Sequence, residues 1–125
     1  MNVKQVPPLP QASGPTDPGI LDLEHLRRYT LLDQGLEREL LTLFREQATL
    51  QFDTAMSAAD AAVFKLALHT LKGTARSIGA TAVAKASEAV EHLKSDHIAV
   101  RSAIEMADLK RAIDAADRVI AELLA

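Results

Sequence analysis

All five prolines of this chain fall before residue 19, at Pro7, Pro8, Pro10, Pro15 and Pro18. Proline removes a backbone donor and clashes with the preceding turn, so it ends a helix wherever it stands. The rest of the chain is free of that restriction, and its apolar residues recur at intervals of three and four, the period of a helix with one buried face. Strand-like alternation appears nowhere. The sequence therefore predicts helix from about residue 20 to the end, preceded by a flexible proline-rich tail over residues 1–19 that can neither continue a helix nor bury a core.

The helices follow from the spacing of apolar residues. Residues 20–30 predict a short first helix with Leu23, Leu26 and Tyr29 inward, capping one end of the molecule, and with His25 solvated. A second helix is expected from near Asp33 to about Met56, on a stripe of Leu36, Leu40, Leu43, Phe44 and Leu50. Residues 57–60 break the pattern, and Asp60 suits the N-cap of a third helix. That helix should end near Gly79, where glycine permits a left-handed C-terminal residue. Thr81 is expected to cap a fourth, with Val83, Ala86, Val90 and Leu93 inward, and a loop should follow over residues 94–97. The last stripe is the most regular: Met106, Leu109, Ile113, Ala116, Ile120 and Leu123. Hydrophobic residues make up 48% but aromatics only 3%, so the core must come from Leu, Ile, Val and Ala. The expected fold is all-α: an antiparallel up-down four-helix bundle with a short extra N-terminal helix, residues 20–125 forming one domain.

Several function classes are excluded by what is missing. With no cysteine there is no disulfide framework, thiol chemistry or cysteine zinc site. A net charge of −3 and the lack of a basic cluster argue against nucleic-acid binding. No apolar run approaches the roughly 18 residues needed to span a bilayer, and the N-terminus has no signal-peptide apolar core, so a cytoplasmic protein without a membrane partner is expected. Glu88, His92 and His97 are a weak metal candidate: Glu88 and His92 share a helix face, but the paired-histidine spacing of metallohydrolase helices is absent.

The stretch that carries chemistry is residues 64–80. As a helix it places Phe64, Ala67, Leu68, Leu71, Ala75 and Ile78 on one side, and Lys65, His69, Lys72 and Arg76 on the other. One imidazole thus stands on a strip of cations with Gly73 beside it. Neutral imidazole, with an ordinary pKa of about 6.5, is a competent nitrogen nucleophile near pH 7. A phosphoryl group in transfer spreads negative charge over three oxygens, so positioning and cations supply most of its catalysis. Lys72, one turn from His69, is placed to reach those oxygens, with Lys65 and Arg76 adding a weaker field. Glycine inside a helix costs about 1 kcal/mol relative to alanine, and at Gly73 it clears the approach to the imidazole. Each residue alone has an ordinary explanation, as a solvated histidine, surface cations, or a glycine that lets helices pack closely. The joint pattern is much less ambiguous.

His69-Thr70-Leu71-Lys72-Gly73, followed by Ile78-Gly79-Ala80, resembles the phosphoacceptor signature of histidine-containing phosphotransfer (HPt) domains, the intermediate carriers of multi-step bacterial phosphorelays. Ile20-Leu21-Asp22-Leu23 resembles their opening, Leu40-Leu41-Thr42-Leu43-Phe44 their second helix, and residues 83–91 their fourth, so the likeness covers roughly residues 20–125. It implies that His69 is phosphorylated, Lys72 stabilises the phosphate and Gly73 is the small neighbour. Thr74 stands where serine or another small residue is commoner. Lys65, Thr74 and Arg76 flank the site as candidates for partner binding, although the flanking positions, Arg76 among them, vary widely in the family and take no fixed role from it. The implied partners are response-regulator receiver domains, with a hybrid histidine kinase among them. The receiver brings its own aspartate, Mg²⁺ and cation, so the chain needs no cofactor of its own and is expected to act as a monomer. The histidine helices of sensor kinases instead resemble His-Glu with a downstream proline, whereas Thr70 follows His69 and no proline follows Pro18; no room remains for an ATP-binding domain, and autokinase activity is not expected. The alternative is a helical adaptor that binds receiver-like partners without phosphotransfer. A purely structural bundle would leave the Lys65/His69/Lys72/Arg76 strip and Gly73 unexplained.

Overall fold

A computed structural model describes residues 17–125; the expected tail lies, for residues 1–16, outside the described residues. Among the described residues all regular structure is helical: α1 Leu23–Thr30, α2 Gln34–Ser57, α3 Ala61–Ile78, α4 Thr81–Glu91, α5 His97–Val100 and α6 Ile104–Leu124. Four of these starts are set by aspartates whose carboxylates accept backbone N–H groups that the first turn leaves unbonded. Asp22 accepts from His25 (3.1 Å), Asp33 from Leu36 (3.0 Å), Asp60 from Val63 (2.9 Å) and Asp96 from Ile98 and Ala99 (3.0 and 3.1 Å).

The long helices close a ring: α2 packs on α3, α3 on α4, α4 on α6 and α6 back on α2, while α1 lies across α2 and α3. Arg38, near the start of α2, donates to the carbonyls of Leu123 and Leu124 at the end of α6, and Arg45 further along α2 pairs with Asp117 at 2.7 Å, so these two helices run in opposite directions. The core inside the ring includes Leu26, Leu41, Phe44, Leu68, Leu71, Met106, Leu109 and Ile120, all essentially shut off from water. Burying a side chain of this size contributes about 1.5–3 kcal/mol, which is why the ring and not any single helix is the stable unit. No described helix is long and apolar enough to cross a membrane.

Packing corrects several expectations. The first helix begins at Leu23 because Asp22 caps it, and Tyr29 points outward at 67% exposure while Leu23 and Leu26 are buried. In α2 the buried arc is Leu41, Phe44, Ala48 and Ala55; Leu36, Leu43 and Leu50 are exposed, and of the expected stripe only Phe44 is fully buried, with Leu40 packed partly against the core. In α4, Val83 and Val90 are buried as expected, but Ala84 and Ser87 join them; Ala86 is only partly buried, as is Leu93, which lies beyond the end of the helix. Thr81 is the first residue of α4 and not its cap, which is Ala80 with no side-chain bond. The Thr81 hydroxyl instead lies 2.8 Å from the carbonyl of Pro18 and 2.9 Å from that of Gly19, fastening the chain before α1 to α4. The expected loop at 94–97 is present over residues 94–96, and its last residue, His97, opens the short α5, capped by Asp96. His25 is half-buried, its Nε2 3.2 Å from the carbonyl of Ser77.

The end of α3 depends on Gly79. Its φ is +85°, its N–H caps α3, its carbonyl accepts from Asp22 (2.8 Å), and a Cβ there would stand 2.8 Å from the Asp22 carbonyl oxygen. Gly79→Ala combines a left-handed backbone with a backbone clash, and should lower stability by about 1–3 kcal/mol. A thermal melt measures it, and an unchanged midpoint would show that the α1–α3 junction yields freely.

Candidate functional site

The functional surface is built on α3. Phe64, Ala67, Leu68, Leu71, Ala75 and Ile78 are all buried, as the spacing requires, and this fixes the helix's rotation. His69 consequently faces outward from mid-helix with its side chain 72% exposed. Lys65 is exposed one turn earlier and Arg76 two turns later. Gly73 is exposed too, and a Cβ built on it meets no atom within 4 Å. Close packing between helices is therefore not the reason for this glycine.

Lys72 differs from expectation. It is not a free surface cation: its side chain is only 16% exposed, and Nζ lies 2.6 Å from Oε1 of Glu91 at the end of α4. The other oxygen of Glu91 lies 3.6 Å from His69 Nδ1, beyond hydrogen-bond range but close enough for the carboxylate to act on the ring through space. His69, Lys72 and Glu91 thus form one cluster across the α3–α4 seam. Arg76 makes a looser pair with Glu88 at 3.7 Å. Sequence reading missed Glu91 because its partners stand on another helix; charge patterning along one helix reports only neighbours three and four residues away.

Two grooves meet at His69. Between α2 and α3, Tyr29, Leu40, Leu43 and Gln47 face His69, Thr70, Gly73 and Thr74. On the other side, Phe64, Lys65 and Leu66 face Glu91, Leu93 and His97. The exposed Leu43, the partly buried Leu40 and the outward Tyr29 therefore border the site, giving it an apolar flank that the sequence reading had assigned to the core. Thr74 is half-buried, and its hydroxyl donates to the carbonyl of Thr70 (2.8 Å), so its polar atom serves its own helix. A larger hollow of about 1030 Å³ lies beside α1, lined by Pro18, Leu23, Arg27, Leu31 and Leu32, and contains none of the cluster.

The weak metal candidate is not assembled. Glu88 faces Arg76, the His97 ring packs against Phe64 with centroids 5.9 Å apart, and no metal-holding group of His, Asp or Glu occurs among the described residues.

An exposed imidazole flanked by a cation and an open glycine is equipped to accept a small anionic group from a docked partner, with the apolar flank available for contact. A model of the Hpt domain family matches residues 39–121, from α2 into α6 and well over half of the chain. Neither the comparison with curated proteins nor that with solved structures returned a match. The chain therefore belongs to the Hpt domain family, whose members are phosphocarriers that pass phosphoryl groups by way of a histidine in phosphorelays.

Proposed function

We propose that this chain takes a phosphoryl group from an aspartyl-phosphate receiver domain onto His69 and hands it to a second receiver. The observation that carries the reading is the presentation of His69: a 72% exposed imidazole in mid-helix, with open space at Gly73 and a lysine ammonium one turn away. Nδ1 is the nitrogen nearer Glu91, which leaves Nε2 as the attacking atom. Its lone pair forms the N–P bond while the acyl-phosphate P–O bond breaks toward the receiver's aspartate. Lys72 neutralises charge on the transferring oxygens, and Gly73 keeps the approach clear.

The reading includes the finer architecture, with α2, α3, α4 and α6 as an antiparallel up-down bundle over residues 20–125. It also includes a cytoplasmic, monomeric carrier without autokinase activity, served by a hybrid histidine kinase and a response regulator. Mg²⁺ belongs to the receiver. Lys65, Thr74 and Arg76 border the docking surface, together with the apolar flank of Tyr29, Leu40 and Leu43.

The test is incubation of the full chain with a receiver domain phosphorylated by acetyl phosphate. The expected product is phosphate on this chain that is labile to acid, stable to base, and mapped to His69 by mass spectrometry. Receiver binding without covalent phosphate would turn the reading toward an adaptor.

A further inference from the structure

Phosphoacceptance uses His69, Lys72 and Gly73 but gives no role to Glu91, whose placement is unusual for a surface carboxylate. Its side chain is only 21% exposed, and Oε1 is closed to solvent with no hydrogen bond from the described residues. The ammonium of Lys72 at 2.6 Å compensates that oxygen, as an ion pair without hydrogen-bond alignment. The same carboxylate also reaches to 3.6 Å from the His69 ring.

The resting cluster pairs one cation, Lys72, with one anion, Glu91, beside the His69 ring. When His69 takes the phosphoryl group, the bond from Nε2 to phosphorus forms, the receiver's carboxylate leaves with the P–O electron pair, and the positive charge this puts on the ring is discharged by release of the Nδ1 proton from the 72% exposed side chain to solvent. The site then holds a phosphoryl group of nearly two negative charges beside Glu91, and the two anions compete for Lys72. If Lys72 turns to the phosphoryl oxygens, a carboxylate oxygen closed to solvent loses its counter-charge, an unfavourable state for a partly buried ion. If Lys72 stays, the phosphoryl group lacks its nearest cation. Arg76 is already paired with Glu88 and the exposed Lys65 offers only a solvent-screened charge, so Lys72 is the cation the two anions must share.

We propose that Glu91 sets the transfer potential of this carrier: it is the anion that Lys72 must give up to the phosphoryl group, and the resulting charge conflict pushes that group on to the next receiver. The inference rests on His69 being the acceptor. Glu91 acts through Lys72 and through space, as a positioning residue that does not touch the phosphoryl group. It predicts a fast, readily reversed transfer in place of a long-lived phosphohistidine.

The experiment measures the equilibrium partition of radiolabelled phosphate between a receiver charged by acetyl phosphate and the full chain, for wild type, Glu91→Gln and Glu91→Ala, at low and high salt. Glutamine keeps the shape and removes the charge. Both variants should shift the partition toward phosphohistidine by about five- to tenfold, through slower return transfer, and the shift should shrink in high salt. Thermal melts should show the Gln variant folded like wild type. A wild-type partition for Glu91→Gln, with wild type clearly phosphorylated on His69, would overturn the inference and leave the acceptor reading standing. A shift in the Ala variant alone, tracking a lowered melting point, would also overturn it by making Glu91 merely structural. A wild-type chain that takes no phosphate would overturn both.

Discussion

His69→Gln should eliminate acid-labile phosphorylation of the chain while leaving the thermal midpoint within the range of a neutral surface change. The two halves of this expectation have separate physical bases. Among the described residues only His69 joins exposure, a neighbouring ammonium and open space at Gly73. Its side chain is 72% exposed, so its removal forfeits little packing, and substitutions of this kind usually fall within about 0.5 kcal/mol. Phosphotransfer and melting curves on the same preparation check both. Labelling at the wild-type level in the variant would move the acceptor, with the exposed His92 next to be replaced.

Gly73 gives the second large effect, and it runs in opposite directions for stability and function. Gly73→Ala should raise stability by up to about 1 kcal/mol, since alanine is the better helix former and its methyl group meets nothing within 4 Å. Gly73→Gln should fold as well as wild type yet block transfer, because its side chain enters the space through which a receiver reaches His69. Had the glycine been placed for helix packing, both variants would melt early. A Gln variant that unfolds, or one that transfers normally, would remove the clearance role.

Where the chain's physics is local, the sequence reading and the structure coincide. The rotation of α3 follows from six apolar residues at helical spacing, and its ends from Asp60 and Gly79, a cap and a left-handed stop that act within a turn. The stripe of α6 is equally plain, with Met106 through Ile120 buried. Helix α2 was misread because it carries two apolar arcs. Hydropathy favours the leucines at 36, 43 and 50, while the packed arc includes Ala48 and Ala55, small residues that let neighbouring helices come close. The turn after α1 was equally opaque: Leu31 and Leu32 both have positive φ without being glycine, and nothing in their side chains announces it. Helix α5, four residues long, is too short to show a period. In the site, the exposed histidine and the open glycine were legible because both depend on the rotation of one helix. The engagement of Lys72 was not, because Glu91 arrives from α4 and only the tertiary fold brings it there.

The placing of His69 where two grooves meet has a consequence for traffic through the molecule. With His69 alone at the meeting of two grooves on one face, donor and acceptor receivers would have to occupy the same ground in succession, never together. Flux would then be governed by turnover of occupancy, and a receiver that bound too tightly would stall the relay by refusing to vacate. Modest affinity and short residence would be requirements of the design, and a variant that strengthens contact at the apolar flank would be expected to slow the whole circuit while each separate transfer remained fast.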